Sequence, residues 1–363
     1  MKDATHSLRC QKNLPLFAVL ALFPLSTLAD SHSVFFKMEG FNHSEPVSIY
    51  QFINNWQGDL YKGDKAVFVN NVELGFTQDN WSFAALYRSD FWMQMPYDST
   101  VFYHSIKNGI PLQRGRTYDV YVEHNYFTAT GLKAGYQGNT SGWNWQLDFS
   151  YLYAKNIFDG YYGGAALTDF NGDFNMTLDV DYQYYKDILF EREVDNAPSG
   201  NGYAIDFAIN KQFNDDWQAN IEFKDLLAAI HWNQAPETYY QGSATRESGD
   251  EFFEYTANTG IERNVDHVQT IPSKILASVH YSLAENHQFN LAYDHYIVKD
   301  FIRASYQHTY YRHAFEVGYN FTAGAGSIGY QYSDWLRFEF FADTPQFKDA
   351  KTLGGILSVQ YRF

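Results

Sequence analysis

The sequence has little of several features that usually indicate a function. Its 363 residues include one cysteine, Cys10, so a disulfide framework or a cysteine-based zinc site within one chain is excluded. It has no run of about 20 apolar residues, which excludes a helical membrane span. Lysine and arginine number 26 against 42 aspartates and glutamates, giving a formal net charge of −16. This charge argues against a nucleic-acid partner, because phosphate contacts require basic side chains.

The first 29 residues have the pattern of an export signal. Lys2, Arg9 and Lys12 precede an apolar stretch at 14–24, and Ala29 ends a small-residue cleavage site. An apolar stretch of about 11 residues suits a signal-peptide core and is too short to span a bilayer. We therefore predict a signal peptide at 1–29 that is cleaved, and a single domain at 30–363. A buried N-terminal helix is the alternative.

Aromatic residues are abundant and alternate with polar ones. Phe, Tyr and Trp together make up 19% of the chain. In the segment 143–153 the odd positions carry Trp, Leu, Phe and Tyr, whereas the even positions carry mostly Asn, Gln, Asp and Ser. The segments 203–213, 217–227 and 353–363 repeat the alternation. A period of two predicts strands with one apolar and one mostly polar face.

The strand lengths and the connections favour a membrane barrel over a soluble sandwich. Runs of about 9 to 12 residues suit a tilted transmembrane strand and exceed the usual strand of a soluble sheet. Short turns alternate with long connections, which is typical of short periplasmic turns and long outer loops. Trp81, Trp143 and Trp217 each follow a short turn directly, so we predict that they belong to an interfacial aromatic girdle.

Sixteen strands can be assigned in this way. Both ends of the chain should be periplasmic, which requires an even number of strands, and fourteen is the alternative if the region around 161–170 is not a separate strand. The predicted strands are 34–41, 66–77, 81–91, 118–136, 143–153, 161–170, 174–185, 203–213, 217–230, 274–283, 289–297, 301–308, 314–321, 327–332, 335–342 and 354–363. The predicted fold is all-β: a transmembrane, antiparallel, up-and-down β-barrel.

The end of the chain carries a further resemblance. In Val359-Gln360-Tyr361-Arg362-Phe363 a terminal Phe follows apolar or aromatic residues two and four positions earlier. Together with the signal peptide and the alternation, this resembles the Gram-negative outer-membrane β-barrel class and is porin-like. The resemblance implies an outer-membrane location, contact with outer-membrane lipid through girdle residues that include Tyr361 and Phe363, and recognition of Phe363 by the barrel-assembly machinery. A monomer and a homo-oligomer both stay open.

If the polar faces point into the barrel, the charged residues of the lumen wall can be predicted. The acidic set is Glu73, Asp119, Glu123, Asp148, Asp179, Asp181, Asp206, Glu222, Asp294 and Glu316. The basic set is Arg88, Lys133, Lys224, Lys274, Arg303, Arg337 and Arg362. Acids concentrate in the middle strands and bases in the later ones, so opposed walls would set up a transverse field. The alternative is that these charges pair locally and keep the lumen wet.

The region 231–272 is the longest predicted connection and is rich in acidic residues. Its length suggests a lid or a constriction folded into the lumen, and the alternative is a solvated outer loop.

We expect an outer-membrane channel for passive diffusion of small polar solutes, with saccharides among the candidates. The alternative is a plugged receptor, or an export or assembly component, that acts through long acidic outer loops. We expect no enzyme activity, because chance pairs such as His104 and Ser105 lack the spacing of a catalytic set. We also expect no cofactor and no metal site, because the histidines are scattered without ligand spacing.

Overall fold

The computed structural model describes residues 32–190, 192–194, 196–247 and 254–363, and it is all-β apart from two helices. The predicted signal peptide lies outside the described residues. The elements in chain order are β1 (His32–Ser44), α1 (Ile49–Ile53), β2 (Lys65–Gln78), β3 (Trp81–Gln94), α2 (Tyr97–Asn108), β4 (Thr117–Thr140), β5 (Trp143–Thr168), β6 (Phe174–Tyr184), β7 (Ser199–Gln212), β8 (Trp217–Arg246), β9 (Glu254–Thr270), β10 (Lys274–Ala284), β11 (His287–Tyr296), β12 (Lys299–Tyr310), β13 (His313–Asn320), β14 (Ala325–Tyr332), β15 (Leu336–Ala342) and β16 (Thr352–Arg362).

Over the described residues, fourteen of these strands close into one antiparallel barrel. The order around the ring is β1 to β5, then β7, β8 and β10 to β16. β1 closes the ring against β16, with Ser33 opposite Arg362. The smaller of the two predicted strand numbers is therefore the one that the barrel has.

The remaining two strands extend the wall beyond the barrel on one side. β5 pairs with β7 at 143–155 and with β6 at 158–168. β6 then pairs with the upper part of β8, and β9 pairs with β8 on the other side. β4, β5, β6, β8 and β9 thus form a five-stranded sheet above the mouth, which we call the extension.

Three details of the predicted strand set differ from the structure. The predicted strands 143–153 and 161–170 are one strand, β5. A bulge interrupts it opposite the stretch of β4 between Tyr126 and Thr128. A bulge shifts the alternation by one residue, so one strand resembles two in the sequence. β6 lies in the extension and not in the barrel ring, and β9 occupies part of the region predicted as a loop.

The apolar alternation continues in the extension, where protein covers it. Phe174, Met176, Leu178 and Val180 of β6 are buried on its outward face, beneath α2 and the side chains of Leu189, Phe190 and Val194. A sheet face that rises beyond the hydrocarbon must be covered by protein to stay out of water. The outer rim of β2 and β3 is covered in the same way by the segment that contains α1, whose Ser48 and Gln51 form a capping box.

The outer surface of the barrel is apolar and aromatic. Large side chains are exposed there on most strands, such as Leu132, Phe149, Leu291 and Val317. The predicted girdle residues Trp81, Trp143, Trp217, Tyr361 and Phe363 are all exposed at the end of the barrel that carries the short turns. We call this the periplasmic end. Among the described residues, no helix is long and apolar enough to cross a membrane.

Candidate functional site in the barrel lumen

The strand register fixes which side chains project into the barrel, because residues paired across strands share a face. Twelve of the predicted lumen residues lie on the inward face of the barrel ring: Glu73, Asp148, Asp206, Glu222, Asp294, Glu316, Arg88, Lys133, Lys224, Lys274, Arg303 and Arg337. Four others, Asp119, Glu123, Asp179 and Asp181, share one face of the extension. Arg362 lies at the periplasmic rim, where it pairs with exposed Asp334.

A group of four charged side chains reaches across part of the lumen, from β3 to β8 and β10. Arg88 of β3 donates to both carboxylate oxygens of Asp225 of β8, at 2.6 and 2.5 Å. Lys274 of β10 donates to Asp225 at 2.6 Å and to Asp90 at 2.9 Å. Asp90 also accepts from Arg88. We call these four residues the ionic layer. The side chains of Asp225 and Lys274 are 1% exposed, so the layer balances two cations and two anions away from water.

Two further contacts join opposite walls of the barrel. Lys224 of β8 lies 3.2 Å from Glu39 of β1. Phe41 of β1 stacks on Tyr296 of β11 with ring centroids 4.7 Å apart, and it meets Phe301 of β12 edge to face. Since β1 and β11 are separated by five barrel strands in one direction, these contacts span the lumen.

An apolar cluster fills the lumen beside the ionic layer. Phe127, Leu152, Ile230 and Trp232 project inward from β4, β5 and β8, and each is almost completely buried. We call this group the inner cluster. Leu152 was the one apolar residue on the otherwise polar face of its predicted strand.

The end of β9 closes over the inner cluster. The Gln269 side chain accepts a hydrogen bond from Trp232 Nε1 at 3.0 Å and donates to the Tyr126 carbonyl oxygen at 3.2 Å. Ile271 is buried against the same cluster. The described part of the region 231–272 is therefore mostly strand, and its final residues cap the lumen at this side.

A cavity of about 760 Å³ lies between this closure and the periplasmic end. Its lining extends from Asn80, Gln137 and Gln146 near the short turns up to Asp90 and Lys274 of the ionic layer. The wall in between carries charged, amide and hydroxyl side chains, among them Lys37, Asn71, Glu73, Asn220, Glu222, His280, Ser305 and Arg337. Such a wall keeps water and polar solutes in contact with hydrogen-bonding groups.

Several other charges of the lumen pair locally. Lys133 lies 2.6 Å from Glu73 and 3.7 Å from Asp148. Arg303 lies 2.8 Å from Asp294, and Arg337 lies 3.1 Å from Glu339. These pairs join the same or nearby strands, as in the second alternative, whereas the ionic layer and the Lys224–Glu39 pair reach across the lumen.

The extension has a polar face above the lumen mouth. Tyr121 and Tyr161 stack there with ring centroids 6.2 Å apart, beside Glu123 and Asp179. Burial and the charge of nearby Glu237 raise the pKa of the Asp181 carboxyl above its usual value.

On the covered face of the extension, Asp187 holds the segment after β6 in place. Asp187 accepts from the Tyr182 hydroxyl at 2.7 Å, from the Phe190 N–H at 3.0 Å and from Arg192. Burial raises the pKa of the Asp187 carboxyl, but these donors outweigh burial and lower its pKa overall.

The sequence reasoning missed Asp225, the central residue of the layer. By simple alternation Asp225 lies in phase with Trp217 and Phe223, which face the lipid. A register shift between β7 and β8 turns it inward. The available signal was a carboxylate in an apolar stripe, which indicates a bulge.

His104 and Ser105 lie buried in α2, where His104 Nε2 bonds the Gly58 carbonyl oxygen at 2.7 Å. This contact ties α2 to the connection between α1 and β2. Among the described residues, no group of three or more His, Cys, Asp and Glu is arranged to hold a metal ion. The absence of enzyme activity stays a prediction.

No protein-family profile and no curated protein sequence matches this chain. The fold is that of a Gram-negative outer-membrane β-barrel. Solved structures with a similar chain trace include a mutant of the monoaromatic hydrocarbon channel TodX, with 8% identity over 93% of this chain and 91% of that chain and a TM-score of 0.46. The P. putida toluene transporter TodX has 8% identity over 93% of this chain and 91% of that chain, with a TM-score of 0.44. A mutant porin from Rh. blastica has 8% identity over 92% of this chain and 99% of that chain, with a TM-score of 0.27. At these values the likeness carries no argument about solutes, so the account of the lumen depends on this chain's own residues.

Proposed function

We propose that the protein is an outer-membrane channel for passive entry of small polar solutes, and that the conformation described here is its closed state. The observation that supports the proposal is the cavity wall, whose charged and amide side chains extend from the periplasmic end to the ionic layer. An apolar solute in this space would separate polar groups from water without replacing their hydrogen bonds. A polar solute instead forms its own hydrogen bonds with the wall in place of those made by water.

Saccharides are candidate solutes within this class. Their hydroxyl groups both donate and accept hydrogen bonds, and the wall offers both partners in Asn71, Gln146 and Asn220. The TodX structures are named for toluene and monoaromatic hydrocarbons. The polar wall of this cavity is a reason not to propose such solutes here, and toluene serves as a negative control.

A plugged receptor is the second candidate. The ionic layer reaches across the lumen and the inner cluster fills it beside the layer, as a permanent plug would, and the extension offers a polar face to the outside. In a receptor of this kind the closure never opens, so solute uptake separates the two candidates.

Liposome uptake of uncharged polar solutes of increasing size is the test. We expect uptake of the smallest solutes by the wild-type protein and faster uptake by Arg88→Ser/Asp225→Ser, which removes a pair that crosses the lumen. Arg362→Ser/Asp334→Ser makes the same charge change at the exposed rim and should match the wild type. If liposomes containing each of the three proteins took up solute no faster than protein-free liposomes, the plugged receptor would be favoured.

We also propose outer-membrane lipid and the barrel-assembly machinery as partners. Tyr361 and Phe363 lie exposed at the periplasmic end of the last strand, where the terminal signal is accessible before β16 pairs with β1. Deletion of Phe363 should slow membrane assembly in cells more than refolding into detergent.

A further inference from the structure

The ladder of hydrogen bonds is interrupted at the height of the ionic layer. On the β7 side, Ile205 pairs with Leu227 and Phe207 pairs with Phe223, so β8 carries two residues more than β7 between these pairs. Asp225 adopts φ +58° there, a left-handed conformation that is costly for a residue with a side chain. We call residues 225–228 the gate segment.

The opposite edge of the gate segment is also poorly paired. β10 pairs with β8 only up to Lys224 opposite Lys274, and β9 begins its pairing at Ala229 opposite Thr270. Between them, Ile271 N–H donates to the Ala228 carbonyl oxygen at 3.2 Å. The next residue, Pro272, has no N–H to add to the ladder.

The gate segment keeps ladder pairs with β7 at Leu227 and Ala228, and side chains hold Asp225, which has no such pair. The Asp225 carboxylate is bound by Arg88 and Lys274, and the Asp225 N–H donates to Asp206 at 2.8 Å. On the other face, Leu226 and Leu227 are exposed toward the lipid. The position of Asp225, and of the unpaired start of the segment, therefore depends on ion pairs that cross the lumen.

We propose that the gate segment is the moving part of the closure: it withdraws Asp225 from Arg88 and Lys274 and opens the lumen beside the ionic layer. The inner cluster is not suited to this role, because displacing Phe127 or Trp232 would open an apolar cavity in a packed interior. Separating the ionic layer admits water, which hydrates four charges that are desolvated in the closed state. The consequence for conduction rests on the proposed channel function.

A disulfide that fixes the gate segment tests the proposal. In a Cys10→Ser background, Ala228→Cys/Ile271→Cys joins the segment to the end of β9. We expect oxidation to abolish channel openings in planar bilayers and reduction to restore them. The control is Ala229→Cys/Thr270→Cys, one row further along a regular ladder, which should open equally often in both states. If the oxidised Ala228→Cys/Ile271→Cys variant opened as often as the reduced variant, the proposal would be overturned.

Hydrogen exchange tests the gate segment without requiring conduction. In the wild-type protein in lipid, the amides of residues 225–228 should exchange faster than those of 217–223 in the same strand. Slow exchange throughout this part of β8 would overturn the proposal. Fast exchange at 225–228 in a protein that never conducts would instead refute the channel function and leave the moving segment in place.

Discussion

Replacing Asp225 by asparagine changes one charge in the ionic layer and almost no volume. It leaves Arg88 and Lys274 facing Asp90 as the only anion of the layer, so one cation loses its partner in a site where Lys274 is 1% exposed. Removing one member of a buried ion pair costs about 3–5 kcal/mol. We expect Asp225→Asn to reduce the free energy of unfolding by this amount if the layer stays dry.

A double-mutant cycle separates this cost from general damage. Arg88→Gln/Asp225→Asn removes one cation and one anion and leaves Lys274 paired with Asp90. The double variant should therefore be more stable than the sum of the two single changes predicts, with a coupling of about 2 kcal/mol. The exposed pair of Arg362 and Asp334 serves as the control, and its loss should change stability by less than about 1 kcal/mol.

Urea unfolding in phospholipid vesicles, followed by tryptophan fluorescence, measures these free energies. The reasoning would be refuted if Asp225→Asn matched the wild type within about 0.5 kcal/mol. Strict additivity of Arg88→Gln and Asp225→Asn would equally contradict a desolvated, mutually dependent layer.

Two further predictions concern the covered face of the extension. Phe102 of α2 is buried against Phe174 and Tyr118, so Phe102→Ala should weaken the attachment of α2 by about 3–5 kcal/mol. We expect proteases to cleave α2 faster in this variant, while the barrel keeps its heat-modifiable migration on gels. An unchanged cleavage rate would contradict the assigned packing. Because the pKa of Asp187 is lowered in the folded protein, its contribution to stability is present above the ordinary aspartate pKa of about 3.9 and is lost as the pH falls through the lower, folded value. Asp187→Asn should therefore loosen residues 185–190 at pH 7, as measured by hydrogen exchange, and the difference from the wild type should shrink as the pH falls below about 3.9. A pH-independent difference would argue against the ionised carboxylate.

The alternation of the sequence predicts the barrel well where one face meets lipid and the other meets water. Strands such as β3 and β16 lie close to their predicted bounds, since this contrast enforces a period of two. β9 lacks the contrast because nearly all of its residues are exposed, and its polar sequence therefore resembles a loop.

The closure of the lumen could not be predicted because it depends on register. The inward position of Asp225 results from a bulge, and the contact between Phe41 and Tyr296 brings together residues 255 positions apart in the sequence. An apolar residue on a polar face, Leu152, was the available sign that part of the lumen is filled. The alternation alone does not show whether such a residue plugs the lumen or only interrupts its polar wall.

Planar-bilayer conductance of the wild-type protein and of Arg88→Ser/Asp225→Ser, recorded side by side, tests most directly whether a polar path is closed at the ionic layer. We predict brief, infrequent openings for the wild type and sustained, larger conductance for the double variant, with Arg362→Ser/Asp334→Ser resembling the wild type. A double variant that inserts as a folded barrel and conducts no more than the wild type would contradict the account.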